Sequence, residues 1–268
     1  MPDRVPSFRT SGWRLWPHAV CLEELRRIGF GAVELCLEHP DVAPRAMTAE
    51  RCREVAGELG GLSVSALSFH GKREHPRLKA EYTHMLVDVG ARLRAAGVAT
   101  DVLVICGGLR DYAGLVALLR DVCPRAQDAG FLLAVEPEPG TVVHGSADMR
   151  RLLDDVDHPA LRVNLDVGHS FLTEPDVVAD IALWGPLIAG VHVEGMPAGV
   201  HRHLVPGEGD LDLPAALRAI DRAGYTRPLT IDLFDIQDDP PGWSERAYLG
   251  LQAVIAAELE LGGLTVRG

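Results

Sequence analysis

Short apolar runs alternate with longer amphipathic segments along the whole chain, and that rhythm limits the fold more than any other feature. After a short strand near SFRTSGW, strand-like runs stand at 32–37, 63–69, 101–108, 131–137, 161–167, 187–195 and 229–235. Between them lie helical segments at 18–29, 48–61, 76–97 and 111–130, then at 146–156, 175–184, 213–225 and 244–259. Several of the early ones stop at a glycine suited to a helix C-terminus. Strands that alternate with helices of this length predict parallel pairing. An open doubly wound sheet would carry a glycine-rich phosphate loop after an early strand, and the sequence has none. The expectation is an α/β fold, a single (β/α)8 TIM barrel spanning 1–268.

Composition narrows the setting. The chain is 47% hydrophobic, enough for a large core, and its formal net charge of -12 opposes a polyanionic partner such as DNA. The five cysteines, Cys21, Cys36, Cys52, Cys106 and Cys123, are widely spaced and include no C-x-x-C pair. They read as reduced thiols of a cytoplasmic protein. No run of about 18 apolar residues indicates a membrane span, so the expected partner is a small molecule, with no nucleic acid and no membrane. Self-association into a homo-oligomer stays open.

In a barrel of this kind the active site forms at the C-terminal ends of the strands. Glu34, Glu136, Asp166, His192 and Asp232 each close a strand-like run, and each lies opposite that run's Val, Leu and Ile residues. The apolar face packs on the helices, so these polar ends point into the barrel mouth. His169 follows Asp166 by three residues and can turn back over the same pocket. Carboxylates and an imidazole converging on one point repel unless a cation sits among them. One divalent metal ion is the simplest cation, with Mn, Zn, Co and Mg all compatible with such donors. Salt-bridged or solvated acids are the plainer alternative.

The ordered motifs VEPEPGT, NLDVGHSF, GVHVEG, HRHLVPGEGDLD and LTIDLFD, with GFGAVEL before them, carry a resemblance that spans nearly the whole chain. It resembles the sugar-phosphate isomerase/epimerase group of xylose-isomerase-like barrels (AP endonuclease family 2 type). That group also includes ketose epimerases, hydroxypyruvate and inosose enzymes, dehydroshikimate dehydratases and apurinic endonucleases. The resemblance implies that Glu136, Asp166 and His192 are metal ligands. Asp232 is expected as the fourth ligand, although the family usually has a glutamate there, one methylene longer. His169, Arg202 and His203 match positions that contact substrate, phosphate or additional metals. His70, at the end of strand three, is a further candidate for substrate contact.

The chemistry expected of such a site is proton transfer next to a carbonyl, with a metal stabilising the enediolate of an α-hydroxy carbonyl, carbohydrate-like substrate. Glu136 and Asp232 are the candidate proton-transferring carboxylates, with Glu136 favoured for its longer arm. Arg202 either grips a substrate hydroxyl pair, carboxylate or phosphate, or simply pairs with Glu208 or Asp210. Two other functions stay open: a metal-dependent phosphodiesterase resembling the apurinic endonucleases, and a non-catalytic barrel that binds a metabolite.

Overall fold

The structure is a computed structural model that describes residues 5–71, 76–108 and 110–262. The expected domain, 1–268, runs past these at both ends, and His75, read from the sequence as a surface or internally satisfied histidine, lies outside them. Eight parallel strands close a barrel in sequence order, with β1 pairing both β2 and β8. The strands are β1 (Pro6–Arg9), β2 (Ala32–Cys36), β3 (Ser63–Ser68), β4 (Val102–Cys106), β5 (Leu132–Glu136), β6 (Leu161–Asp166), β7 (Ile188–Val193) and β8 (Leu229–Ile231).

The surrounding helices are α1 (His18–Ile28), α2 (Ala49–Glu58), α3 (Pro76–Ala95), α4 (Tyr112–Asp128), α5 (Ser146–Val156), α6 (Val167–Thr173), α7 (Val177–Trp184), α8 (Leu213–Arg222) and α9 (Pro240–Glu260). Strand alternation sorts the side chains as expected. Val33, Leu35, Leu133, Val135, Val191 and Val193 join the large core between sheet and helices. Small residues such as Ala66, Ala134 and Ala189 fill the barrel interior. Below the mouth, Ser65 Oγ contacts Ser7 Oγ at 2.8 Å and Thr230 Oγ1 at 3.4 Å, so buried hydroxyls satisfy one another.

Three local departures bear on the site. The first run ends in a 3-10 turn, Thr10–Trp13, which makes Arg9 the last residue of β1. Strand β6 stops at Asp166, whose carboxylate accepts the backbone N–H of His169 at 2.8 Å and caps the seven-residue α6. Strand β8 is only three residues long, so Asp232 stands just beyond it. All five cysteines are free and buried. No helix among the described residues is long and apolar enough to cross a membrane.

Candidate active site

Glu136, Asp166, His192 and Asp232 come from four successive strand ends and are almost completely buried. His192 organises them. Its Nε2 lies 2.9 Å from Glu34 Oε2, and its Nδ1 lies 3.1 Å from Glu136 Oε2, 3.8 Å from Asp232 Oδ2 and 3.9 Å from Asp166 Oδ2. Burial disfavours a charged imidazole, yet Glu34 and Glu136 hold the His192 pKa well above the ordinary value. Two buried atoms in this group, His192 Nδ1 and Asp166 Oδ2, make no hydrogen bond. Orphaned buried donors and acceptors are costly. Mixed imidazole and carboxylate atoms facing one point are the donor set of a divalent ion, so the residues present fit a metal.

Asp232 is partnered differently. Arg9 Nη1 donates to both of its carboxylate oxygens, each at 3.3 Å, and Ser11 Oγ donates to Oδ1 at 3.3 Å. Burial pushes the Asp232 carboxyl upward, but Arg9, then His203, His192 and His70, carry it far below the usual carboxylate range. Arg9 is itself buried and extends from Asp232 to Glu34 Oε1 at 3.2 Å and Glu38 Oε2 at 3.5 Å.

Two further polar groups support the floor. Asn164, on the inward face of β6, donates from Nδ2 to Glu136 Oε2 at 2.7 Å and fixes that carboxylate. Glu194, two residues after His192, is fully buried and accepts the Gly168 N–H at 2.7 Å. Burial and the neighbouring Asp166 push its carboxyl well above the usual range. A side chain at Gly168 would collide with Glu194, which explains the glycine in the first turn of α6.

Three imidazoles crown the site. His169 Nδ1 lies 3.0 Å from Pro137 O, and His203 Nδ1 lies 2.7 Å from Asp232 O. A carbonyl only accepts, so Nδ1 carries the hydrogen in both rings and their Nε2 atoms face inward. Those atoms meet His201 Nε2 at 2.9 and 3.3 Å. The His201 pKa is pushed down to about 4 by burial and by its two imidazole neighbours. For His169, burial acts downward, but Asp166, Glu136 and Glu138 prevail and raise it. His70 lies with Nε2 3.6 Å from Glu136 Oε2, and its ring stacks over His192 with centroids 6.5 Å apart. Among the described residues, three groups of side chains have spacing compatible with an ion: Glu136, Asp166 and His192; Asp166, His203 and Asp232; and the rim trio His169, His201 and His203.

A cavity of about 560 Å³ opens above this floor, with His70, Glu136, His169, His203 and Asp232 on its walls. Leu15 and Phe234 give its outer rim an apolar edge. Arg202 is the expected site residue that is not brought here. Its side chain is exposed and does not line the cavity, while Glu208 pairs with Arg246 at 3.2 Å and Asp210 accepts the Ala198 N–H at 2.9 Å. Neither of the two expected pairs for Arg202 is thus seen. Sequence reasoning gave no site role to Arg9, Asn164, Glu194 or His201. Strand alternation marks the first three, since each lies two residues from another inward position: Ser7, Asp166 and His192.

The comparisons bear on the fold that carries this site. A family model described as a xylose isomerase-like TIM barrel matches residues 22–252. A 3-dehydroshikimate dehydratase of Pseudomonas putida is 25% identical over 255 residues, which cover 88% of this chain and 39% of that protein. The chain thus spans about two-fifths of the length of that curated relative. Among solved structures, a D-psicose 3-epimerase crystallised in the presence of D-fructose superposes with a TM-score of 0.74 at 16% identity, over 96% of this chain and 99% of that one. An IOLI protein with a bound zinc atom superposes with a TM-score of 0.73 at 17% identity, over 94% and 98%. With the family model matching most of its length, the chain belongs to the xylose isomerase-like TIM barrel family.

Proposed function

We propose that this chain is a divalent-metal-dependent enzyme that moves a proton next to the carbonyl of a small, carbohydrate-like α-hydroxy carbonyl compound, with an isomerase or epimerase outcome. The observation that carries the reading is the pair of orphaned buried atoms, His192 Nδ1 and Asp166 Oδ2, facing Glu136 at the cavity floor. Glu136, Asp166 and His192 would hold the ion. When bound, it polarises the substrate carbonyl and stabilises the charge of the enediolate. A structural neighbour with the same fold binds a zinc atom, which supports a metal in this barrel.

Glu136 supplies the proton-transferring group. Its Oε2 is fixed by Asn164, which leaves Oε1, 3.5 Å from His169 Nδ1, to exchange a proton with a substrate carbon. Asp232 is a poorer base, because both its oxygens are engaged by Arg9. His70, His169 and His203 are placed to bind and orient substrate hydroxyls. A dehydratase, like the curated relative, would begin with the same proton removal and differ only in losing water afterwards. A phosphodiesterase acting on nucleic acid is disfavoured by the net charge of -12.

The test is to strip the protein with a chelator, reload it with Mn²⁺, Co²⁺, Zn²⁺ or Mg²⁺, and follow deuterium uptake from D₂O into ketoses, hydroxypyruvate and 3-dehydroshikimate by NMR. Metal-dependent uptake into one of these supports the reading, and the product identifies the outcome. A protein that exchanges no proton in any loaded form refutes it, and cleavage of an abasic duplex would replace it with the phosphodiester reading.

A further inference from the structure

The floor of the barrel already contains one cation. Arg9 is 3% exposed, and all of its donor nitrogens face protein acceptors: Nε faces Ser68 Oγ and Glu34 Oε1, Nη1 faces both Asp232 oxygens, and Nη2 faces Cys36 Sγ and Glu38 Oε2. A guanidinium has five N–H groups, so this one has little left to offer a substrate. Its action is on the carboxylates. Of the four acidic and imidazole side chains of the floor, Glu136 is held at one oxygen, Oε2, by Asn164, and the other three divide sharply. His192 and Asp166 each present a buried atom without a hydrogen bond, whereas both oxygens of Asp232 receive Arg9 and one also receives Ser11.

We infer that Arg9 is a positioning residue that keeps the Asp232 carboxylate out of the metal's ligand set, so that a divalent ion is held by Glu136, Asp166 and His192 alone. To coordinate an ion, Asp232 would have to leave a buried guanidinium, and breaking such a pair leaves an uncompensated charge. The shorter side chain suits this role: it ends on Arg9, 3.8 Å short of His192 Nδ1. Arg9 is then an internal competitor for the incoming ion, repelling it and occupying a carboxylate it could use. The inference rests on the metal reading above.

Co²⁺ alone serves as the probe, titrated into chelator-stripped protein and read by affinity and by its visible absorption. The decisive variant is the double substitution Arg9→Gln with Asp232→Asn, which removes the pair and leaves the net charge unchanged. Glu34 and Glu38 lose the same guanidinium in this variant, so circular dichroism and thermal unfolding establish its fold before the titration. The double variant is expected to bind Co²⁺ within about 5-fold of wild type, whereas Asp166→Asn loses roughly 100-fold. Arg9→Gln alone should tighten binding by about 10-fold or more and change the Co²⁺ absorption, as the released Asp232 joins the ion. A double variant as weak as Asp166→Asn, or an Arg9→Gln protein that binds more weakly than wild type, overturns the inference while leaving the metal site standing. Folded wild type that takes up no Co²⁺ removes the metal reading itself, and this inference with it.

Discussion

Glu34 and His192 are 158 residues apart in the chain, yet Glu34 Oε2 lies 2.9 Å from His192 Nε2 inside the barrel. The carboxylate pins the ring so that Nδ1 is the nitrogen turned toward Glu136 and Asp166. Carboxylates placed behind a ligating imidazole typically govern affinity by about 10- to 100-fold. Glu34→Ala should therefore weaken divalent metal binding by roughly that factor with the three ligand residues intact. Calorimetric titration with Mn²⁺ or Zn²⁺ checks it, and unchanged affinity would deny Glu34 this role.

Glu136→Gln keeps the side chain's shape and its contact with Asn164 but removes the proton acceptor. Turnover should fall by about 10²- to 10⁴-fold, the usual worth of a positioned general base. Metal content should fall far less, because the amide oxygen still coordinates weakly. Metal analysis beside deuterium exchange on the active substrate separates the two effects. Full exchange in this variant would reassign the base.

How much of this site could be read in advance depended on whether a residue lay in a strand. Alternation placed Glu136, Asp166, His192 and Asp232 in the mouth, because a strand sends every second side chain inward. It carried equally to Arg9, the last residue of β1, and to Glu194, just past β7, whose inward places the census of acidic and imidazole strand ends passed over. Arg202, His201 and His203 belong to a loop after β7, where no period fixes direction. There the backbone turns His201 and His203 to the cavity and Arg202 to solvent. The pairing of Glu34 with His192 and of Arg9 with Asp232 was not legible, because both contacts exist only once the barrel closes.

That loop depends on Gly195. Its N–H donates to Leu204 O and its carbonyl accepts from Leu204 N, both at 2.8 Å, clamping the segment that holds His201 and His203. A Cβ at Gly195 would run into the carbonyl oxygens of Glu208 and Val205. Gly195→Ala should cost about 1–3 kcal/mol, as overpacking of rigid backbone does, and should disturb the rim histidines more than the floor. Thermal unfolding and the NMR signals of the histidine rings would register both. A variant as stable as wild type with unshifted rings would contradict this account.

Away from the mouth, Glu58 is gripped by Arg51, whose Nη1 and Nη2 reach its two oxygens at 2.6 and 3.1 Å, with His18 Nδ1 at 3.7 Å. The nearby His18 imidazole and the pairing with Arg51 pull the Glu58 carboxyl down to about 2, against a partial opposing effect of burial. A carboxyl depressed in the folded state stabilises it above the unfolded value near 4.5, and that contribution disappears as pH falls toward 2. Glu58→Gln should therefore be less stable than wild type at pH 7, by about 1 kcal/mol for so exposed a pair. The difference should shrink steadily between pH 4.5 and 2. Denaturant titrations across that range test it, and a gap that widens on acidification would reverse the assignment.

The seam between β1 and β8 divides the chemistry between the two halves of the chain. The half built from β1 to β4 supplies Arg9, Glu34 and His70. The half built from β5 to β8 supplies Glu136, Asp166, His192 and Asp232. Taken alone, the second half gathers three carboxylates around His192 without Arg9, and the first holds Arg9 against Glu34 and Glu38 without Asp232. Only when the β4–β5 and β8–β1 seams are both zipped in register do the opposed charges meet. The affinity of this site for an ion is therefore a property of the finished circle, and ion uptake would be a chemical gauge of whether the barrel has closed.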